Sequence, residues 1–172
     1  MEITSEMEEI IQYLHKSVNY ALFAGFAAFL LTGVEPSFDI DVFVSSPDKV
    51  RKVTEDFIEK GWNLRQSTSN DFVLSTVEKN NTTFDIVFSS LAGKVFLPGK
   101  IAVSYKGGKL FAIAPEALLL TKMNQLTLME RSTEKIRRDQ KVIAILRKHI
   151  DVEKTKELIC NLDDSFWTEG HF

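Results

Sequence analysis

The chain has 172 residues, 44% hydrophobic and 26% charged, which suits one globular domain or one domain with a small helical appendage. A net charge of −3 excludes the global basic field that announces a nucleic-acid binder, though not a local patch. The single cysteine, Cys160, excludes an internal disulfide and a thiol-based zinc set. With an acidic start unlike a signal peptide, it points to a reducing, cytoplasmic setting.

In chain order, residues 3–17 predict a helix, with Ile3, Met7, Ile10, Ile11 and Leu14 on one face. A short strand over 19–25 ends at Gly25, and "FAAFLLTG" follows as an apolar helix stopped by Gly33. The apolar run from Tyr20 to Val34 covers about 15 residues, fewer than a membrane span needs, so no membrane partner is expected. "FDIDVFVSS" predicts a strand, and Ser46, Pro47 and Gly61 bracket the next helix. Residues 62–68, 71–79 and 82–90 read as strands separated by turns at "SND" and "KNN". A loop through Pro98 and Gly99 leads to a hairpin turning at Gly107–Gly108. Helical patterns then fill 115–131, 133–150 and 151–162. The expected fold is α/β (α+β): a small mixed sheet with flanking helices over residues 1–113, then a helical part over 114–172 packed on it.

Alternate strand residues share a face, so Asp39 and Asp41 point together while Phe38, Ile40 and Val42 point the other way. Paired carboxylates repel, and a divalent cation removes that repulsion; Mg²⁺ favours one or two carboxylates plus substrate phosphates. Asp85, in "TFDIVFS", is a third acid in an apolar strand. Were its strand to lie beside the first, the three would suit a two-metal phosphoryl-transfer site. An Asp-x-Asp pair alone is more often a solvated strand end. Upstream, Gly25 stands at a strand-to-helix corner, where backbone N–H groups and a helix N-terminus favour phosphate.

Together, "FAGFAAFLLTG", "SFDIDVFV", "AIAPEALLLTKMNQL" and "RRDQKVIAIL" resemble the nucleotidyltransferases of the DNA polymerase β superfamily. The resemblance, over roughly residues 20–146, is nearest to small prokaryotic members, including toxin nucleotidyltransferases of the abortive-infection type. It implies that Asp39, Asp41 and Asp85 bind metal, two Mg²⁺ ions with Mn²⁺ as a substitute, and that Asp85 helps deprotonate the acceptor. Ala24 and Gly25 would seat the β- and γ-phosphates of a nucleoside triphosphate, with Ser37 in place of the family's Thr. Lys122 would reach a phosphate and Asp139 would hold Lys122. The sequence departs from the pattern where Ala24 replaces the first Gly and Phe26 is bulky. Glu35 and Pro36 also stand where an Arg is usual, and Val142 replaces an Asp.

The expected function is therefore metal-dependent transfer of a nucleoside monophosphate to a hydroxyl acceptor. Transfer RNA, a protein and a small molecule are all compatible acceptors, and a cognate antitoxin-like protein is a compatible partner. A catalytically silent relative, a nucleotide-sugar glycosyltransferase and a structural cation site stay open. The basic run Lys135, Arg137, Arg138, Lys141, Arg147 and Lys148 reads first as a wet helix face, because no aromatics interleave it.

Overall fold

The hydroxyl of Thr4 caps the first helix, α1 (Ser5–His15), by accepting from the Met7 N–H, and Met7, Ile10, Ile11 and Leu14 bury its inner face. The structure, a computed structural model, describes residues 3–17, 19–35, 39–68, 72–128, 131–162 and 164–169. The Ser37 expectation, the "SND" turn and the side chain of Phe38 fall outside these residues.

Strand β1 (Tyr20–Phe23) is fully buried and runs directly into α2 (Ala24–Thr32), so the strand is shorter than expected and Ala24 and Gly25 open the helix. Gly33, at φ 72°, ends α2 in the left-handed conformation that glycine takes without strain. After β2 (Asp39–Val44) comes α3 (Pro47–Glu59), capped by Ser46. An antiparallel meander follows: β3 (Asn63–Ser67), β4 (Phe72–Lys79) and β5 (Thr82–Ser89). The β4–β5 turn is Asn80–Asn81, at φ 48° and 64°, as a tight two-residue hairpin requires.

Where a plain loop is expected, Ala92–Phe96 form a π-helical turn that buries Ala92 and Phe96. Strands β6 (Ile101–Tyr105) and β7 (Gly108–Ala112) form the expected hairpin, but its turn is Lys106–Gly107, one residue earlier than expected. Gly108 instead makes room for a neighbouring side chain, since a Cβ there would lie 2.6 Å from the His15 ring.

The seven strands take the order β3-β4-β5-β2-β1-β7-β6, with β2–β5 and β1–β7 parallel and the other neighbours antiparallel. One face lies under α1 and α3, where Phe57 packs edge-on against Tyr13, Trp62 and Phe84. Burial of each such ring contributes about 1.5–3 kcal/mol. On the other face Phe43 stacks on Phe23 at 3.9 Å and meets Phe96 at 5.7 Å.

The C-terminal part is helical: α4 (Pro115–Leu128), α5 (Thr133–Leu146), α6 (Val152–Asn161) and α7 (Asp164–Glu169). Helix α4 packs on α2, α5, α6 and α7. The chain folds back at α7, burying Phe166 against Phe96, and the Asn124 amide donates to the Phe166 carbonyl. No helix among the described residues is long and apolar enough to cross a membrane.

Candidate active site

In β2, Ile40 and Val42 are 0% and 1% exposed, which anchors the strand and leaves Asp39 and Asp41 together on the opposite face. The parallel register sets Asp41 opposite Asp85 and Asp39 opposite Thr83, so all three carboxylates share that face. Each flanking acid has its own hydroxyl donor: Thr83 to Asp39 Oδ1 at 2.7 Å, and Thr76 to Asp85 Oδ1 at 2.5 Å. Among the described residues, no three His, Cys, Asp or Glu side chains stand close enough together, as they are placed, to hold a metal ion.

Burial, then the charges of Asp85 and Asp39, push the Asp41 carboxyl from the ordinary 3.8 up to about 8. Lys122 and the Gly25 N–H, which donates to Asp41, offset this only in part. Asp85 is also raised, chiefly by burial, against the opposing hydrogen bond from Thr76. Folded Asp41 thus keeps a proton that the unfolded chain releases above pH 3.8. With more protons bound in the folded state, stability falls as pH rises across the window from 3.8 to about 8 and levels off beyond it. In chelator, the melting temperature is expected to drop from about pH 5 to about pH 8.5, and Asp41→Asn to flatten that drop. An equal slope in both proteins would show that Asp41 is not the group responsible.

The corner above these acids is strained. Ala24 has φ 51°, a left-handed conformation that costs a residue with a Cβ about 1 kcal/mol relative to Gly. Ala24→Gly is therefore expected to gain stability of about that size, read as a higher denaturant midpoint with unchanged slope; a loss would overturn the strain argument. Helix α2 has no side-chain N-cap, so its first-turn N–H groups depend on other acceptors.

Facing the corner, Lys122 of α4 pairs with Asp139 of α5 at 2.8 Å, and Arg131 reaches the other oxygen of Asp139 at 3.1 Å. Arg131 also donates to Gln125 at 3.0 Å. The Lys122 and Asp139 side chains are 5% and 3% exposed, so one buried carboxylate sits between two cations. The buried Arg131 Nε has no hydrogen-bond partner among the described residues.

A cavity of about 140 Å³ joins the two halves, lined by the expected Ala24, Gly25, Asp39, Asp41, Lys122 and Asp139. Asp85 does not line it but stands beside Asp41 on the next strand. Gln125, Arg131, Lys135 and Arg138 complete the lining. Lys135 and Arg138 belong to the run expected to be a wet helix face, and only the packing of α5 over the corner reveals them as cavity residues. Gln125 lies one helical turn from Lys122, a spacing that could have found it. A larger cavity, about 980 Å³, lies between the π-helical turn, α4 and α6 and touches none of the carboxylates.

A mixed sheet of this order, with a strand–corner–helix unit leading into an Asp-x-Asp strand, is the nucleotidyltransferase fold. Among solved structures, the chain is similar to an antigenic nucleotidyltransferase-like protein from Paracoccidioides brasiliensis: 12% identity, 92% of this chain and 87% of that one covered, TM-score 0.55. It is similar also to the antibiotic-resistance factor ANT(2'')-Ia, at 13% identity, 91% coverage of each chain and TM-score 0.59. A second ANT(2'')-Ia structure, in complex with adenylyl-2''-tobramycin, gives 11% identity, coverage of 89% and 95%, and TM-score 0.58. At these identities the likeness is one of fold. No family model and no curated protein sequence matches the chain.

Proposed function

We propose that the chain is a metal-dependent nucleotidyltransferase that moves a nucleoside monophosphate from a nucleoside triphosphate to a hydroxyl acceptor. The observation that supports this best is the register setting Asp41 against Asp85, with Asp39 two residues earlier, beside a cavity whose far wall is cationic. The donors are hard oxygens, and the carboxylate charge that burial and then the neighbouring acids disfavour at Asp41 is one a divalent cation would balance, so the chemistry of the donors fits Mg²⁺ or Mn²⁺. Asp39, Asp41 and Asp85 would hold two such ions. When bound, the ions would stabilise the charge on the attacking and leaving oxygens of an in-line displacement.

The chain's own groups divide the remaining work. The Gly25 N–H is given to Asp41, so the first-turn N–H groups of α2 after it are the ones that suit the β- and γ-phosphates. Lys122, held by Asp139, reaches a phosphate oxygen. Asp85 takes the proton of the acceptor hydroxyl, whose oxygen bonds to the α-phosphorus; the bond to the bridging oxygen breaks and pyrophosphate leaves with its electrons. The silent-relative reading draws on Ala24, yet Ala24 keeps the left-handed backbone a glycine would adopt, so the corner retains its shape.

The lone cysteine adds a cytoplasmic setting to the proposal, and the resemblance to toxin nucleotidyltransferases adds an antitoxin-like partner. The test is transfer of α-³²P label from each of the four ribonucleoside triphosphates, with Mg²⁺, to cellular RNA, protein and small molecules. Wild-type chain that neither transfers label nor binds nucleotide with Mg²⁺ would overturn the reading.

A further inference from the structure

Two threonines hold the outer carboxylates, and neither stands out in the sequence, since a β-branched residue is ordinary in a strand. The strands lie in the order β4-β5-β2, and their register sets Thr76 beside Asp85 and Asp85 beside Asp41 in one row across the sheet. Thr83, two residues before Asp85 on β5, stands beside Asp39 in the next row. Residues two apart on a strand share a face, so both threonines belong to the face that carries the acids. Thr76 is only 8% exposed and gives its hydroxyl to Asp85 Oδ1 at 2.5 Å, while Thr83 gives its own to Asp39 Oδ1 at 2.7 Å. Among the described residues, the second oxygen of each of these two acids has no hydrogen-bond donor, and no Lys or Arg pairs with Asp39, Asp41 or Asp85.

We infer that Thr76 and Thr83 are positioning residues for the divalent cations of the proposed reaction: each hydroxyl fixes the plane of one flanking carboxylate and keeps that carboxylate's second oxygen for the ion. The inference rests on the transfer reading above. Two observations carry it. The first is that the donors are neutral. Asp139, which lines the same cavity, has its two oxygens taken by Lys122 and Arg131, and those cations cancel its charge. Asp39 and Asp85 are held by hydroxyls instead, so they gain orientation and keep the negative charge that attracts a cation. The second is the crowding of the acids. The terminal torsion of an Asp side chain is broad and roughly two-fold, and three carboxylates on one face repel one another, so unheld groups would turn apart. A hydroxyl on one oxygen removes that freedom at the two outer acids, and the Gly25 N–H does the same at Asp41 between them. Each of the three acids thus has one uncharged donor.

Two kinds of substitution separate this role from a merely structural one. Thr→Val keeps the branched shape and removes only the hydroxyl, while Thr→Ser keeps the hydroxyl and gives up the branch. The experiment is titration of the full chain with Mn²⁺, with and without ATP, read by the electron paramagnetic resonance signal of the free ion. It compares the wild type with T76V, T83V, T76S and T83S, and a melt in chelator accompanies each protein. The Val variants are expected to bind Mn²⁺ about tenfold or more weakly than the wild type, the usual cost of removing a hydrogen bond that supports a ligand. The Ser variants are expected to bind Mn²⁺ as the wild type does, although loss of the β-branch lowers their melting temperatures. Affinity then follows the hydroxyl while stability follows the branch, a split that a structural role does not produce.

Val variants that bind Mn²⁺ as tightly as the wild type, or Ser variants that bind it as weakly as the Val variants, would overturn the inference. Either result leaves the transfer reading intact, because the wild type still holds its ions. Should one Val variant fail to fold, the contrast between Val and Ser at the other threonine decides. A wild type that binds no Mn²⁺, with ATP or without it, overturns the transfer reading and the inference together.

Discussion

Replacing either Asp39 or Asp41 by Asn is expected to cut label transfer by about a thousandfold or more, because the proposed metal clamp would supply several kcal/mol to the transition state. Asn keeps the volume and one carbonyl oxygen, so the amide in Asp39→Asn could still accept the Thr83 hydroxyl that Asp39 now takes at 2.7 Å. What each variant loses is charge. Asp41→Asn also makes a second readout move the opposite way. It removes the carboxylate that burial and the neighbouring acids destabilise, so the chelated protein should become more stable at pH 8. A gain of about 1 kcal/mol corresponds to roughly 2–4 °C in melting temperature for a chain of this size. A residue that served only the fold would show loss of both activity and stability. Full activity in the Asp41→Asn variant would sink the proposed function, and a fall in melting temperature would sink the electrostatic account of the site.

Much of this site was legible because its signals are local. The period-two alternation of Ile40 and Val42 with Asp39 and Asp41 fixes which face the acids take, whatever the strand pairs with. The Ser46 and Pro47 signals that start α3 are likewise short-range chemistry. The pairing of β2 with β5 was an assumption in the sequence, since α3 and two strands intervene between them; the register that sets Asp41 opposite Asp85 is a tertiary fact. The same holds for Arg131, Lys135 and Arg138. Their charge is visible in the sequence, but only the packing of α5 against α2 and α4 turns them towards the carboxylates. Lys106 shows a subtler limit. Two adjacent glycines mark a turn, yet the turn takes Lys106 and Gly107, and Gly108 serves the close contact with His15. Ala24 is the reverse case: its place in the pattern marked it as a departure, and its φ of 51° explains why glycine suits that position.

The largest expected effect on stability is at Asp139, and it separates holding the fold from serving the chemistry. Asp139 is shared between Lys122 and Arg131, with its side chain 3% exposed. Asp139→Asn leaves two buried cations facing one neutral amide, and breaking a buried pair in this way costs about 3–5 kcal/mol. For this chain length that is a fall of roughly 10 °C in melting temperature. Lys122→Met acts differently. It leaves Arg131 and Asp139 as a neutral pair and substitutes an apolar side chain of similar length at a buried position, so stability should change by only about 1 kcal/mol. Yet Lys122 lines the cavity and is the group proposed to meet a phosphate, so Lys122→Met should lose label transfer and weaken nucleotide binding while staying folded. The asymmetry is the test, read by thermal melts and nucleotide titration on both variants. If Lys122→Met melts as early as Asp139→Asn, Lys122 is a structural pillar and the phosphate contact has no support. If Asp139→Asn keeps its melting temperature, the two cations are not held by one carboxylate, and the far wall of the cavity must be stabilised in another way.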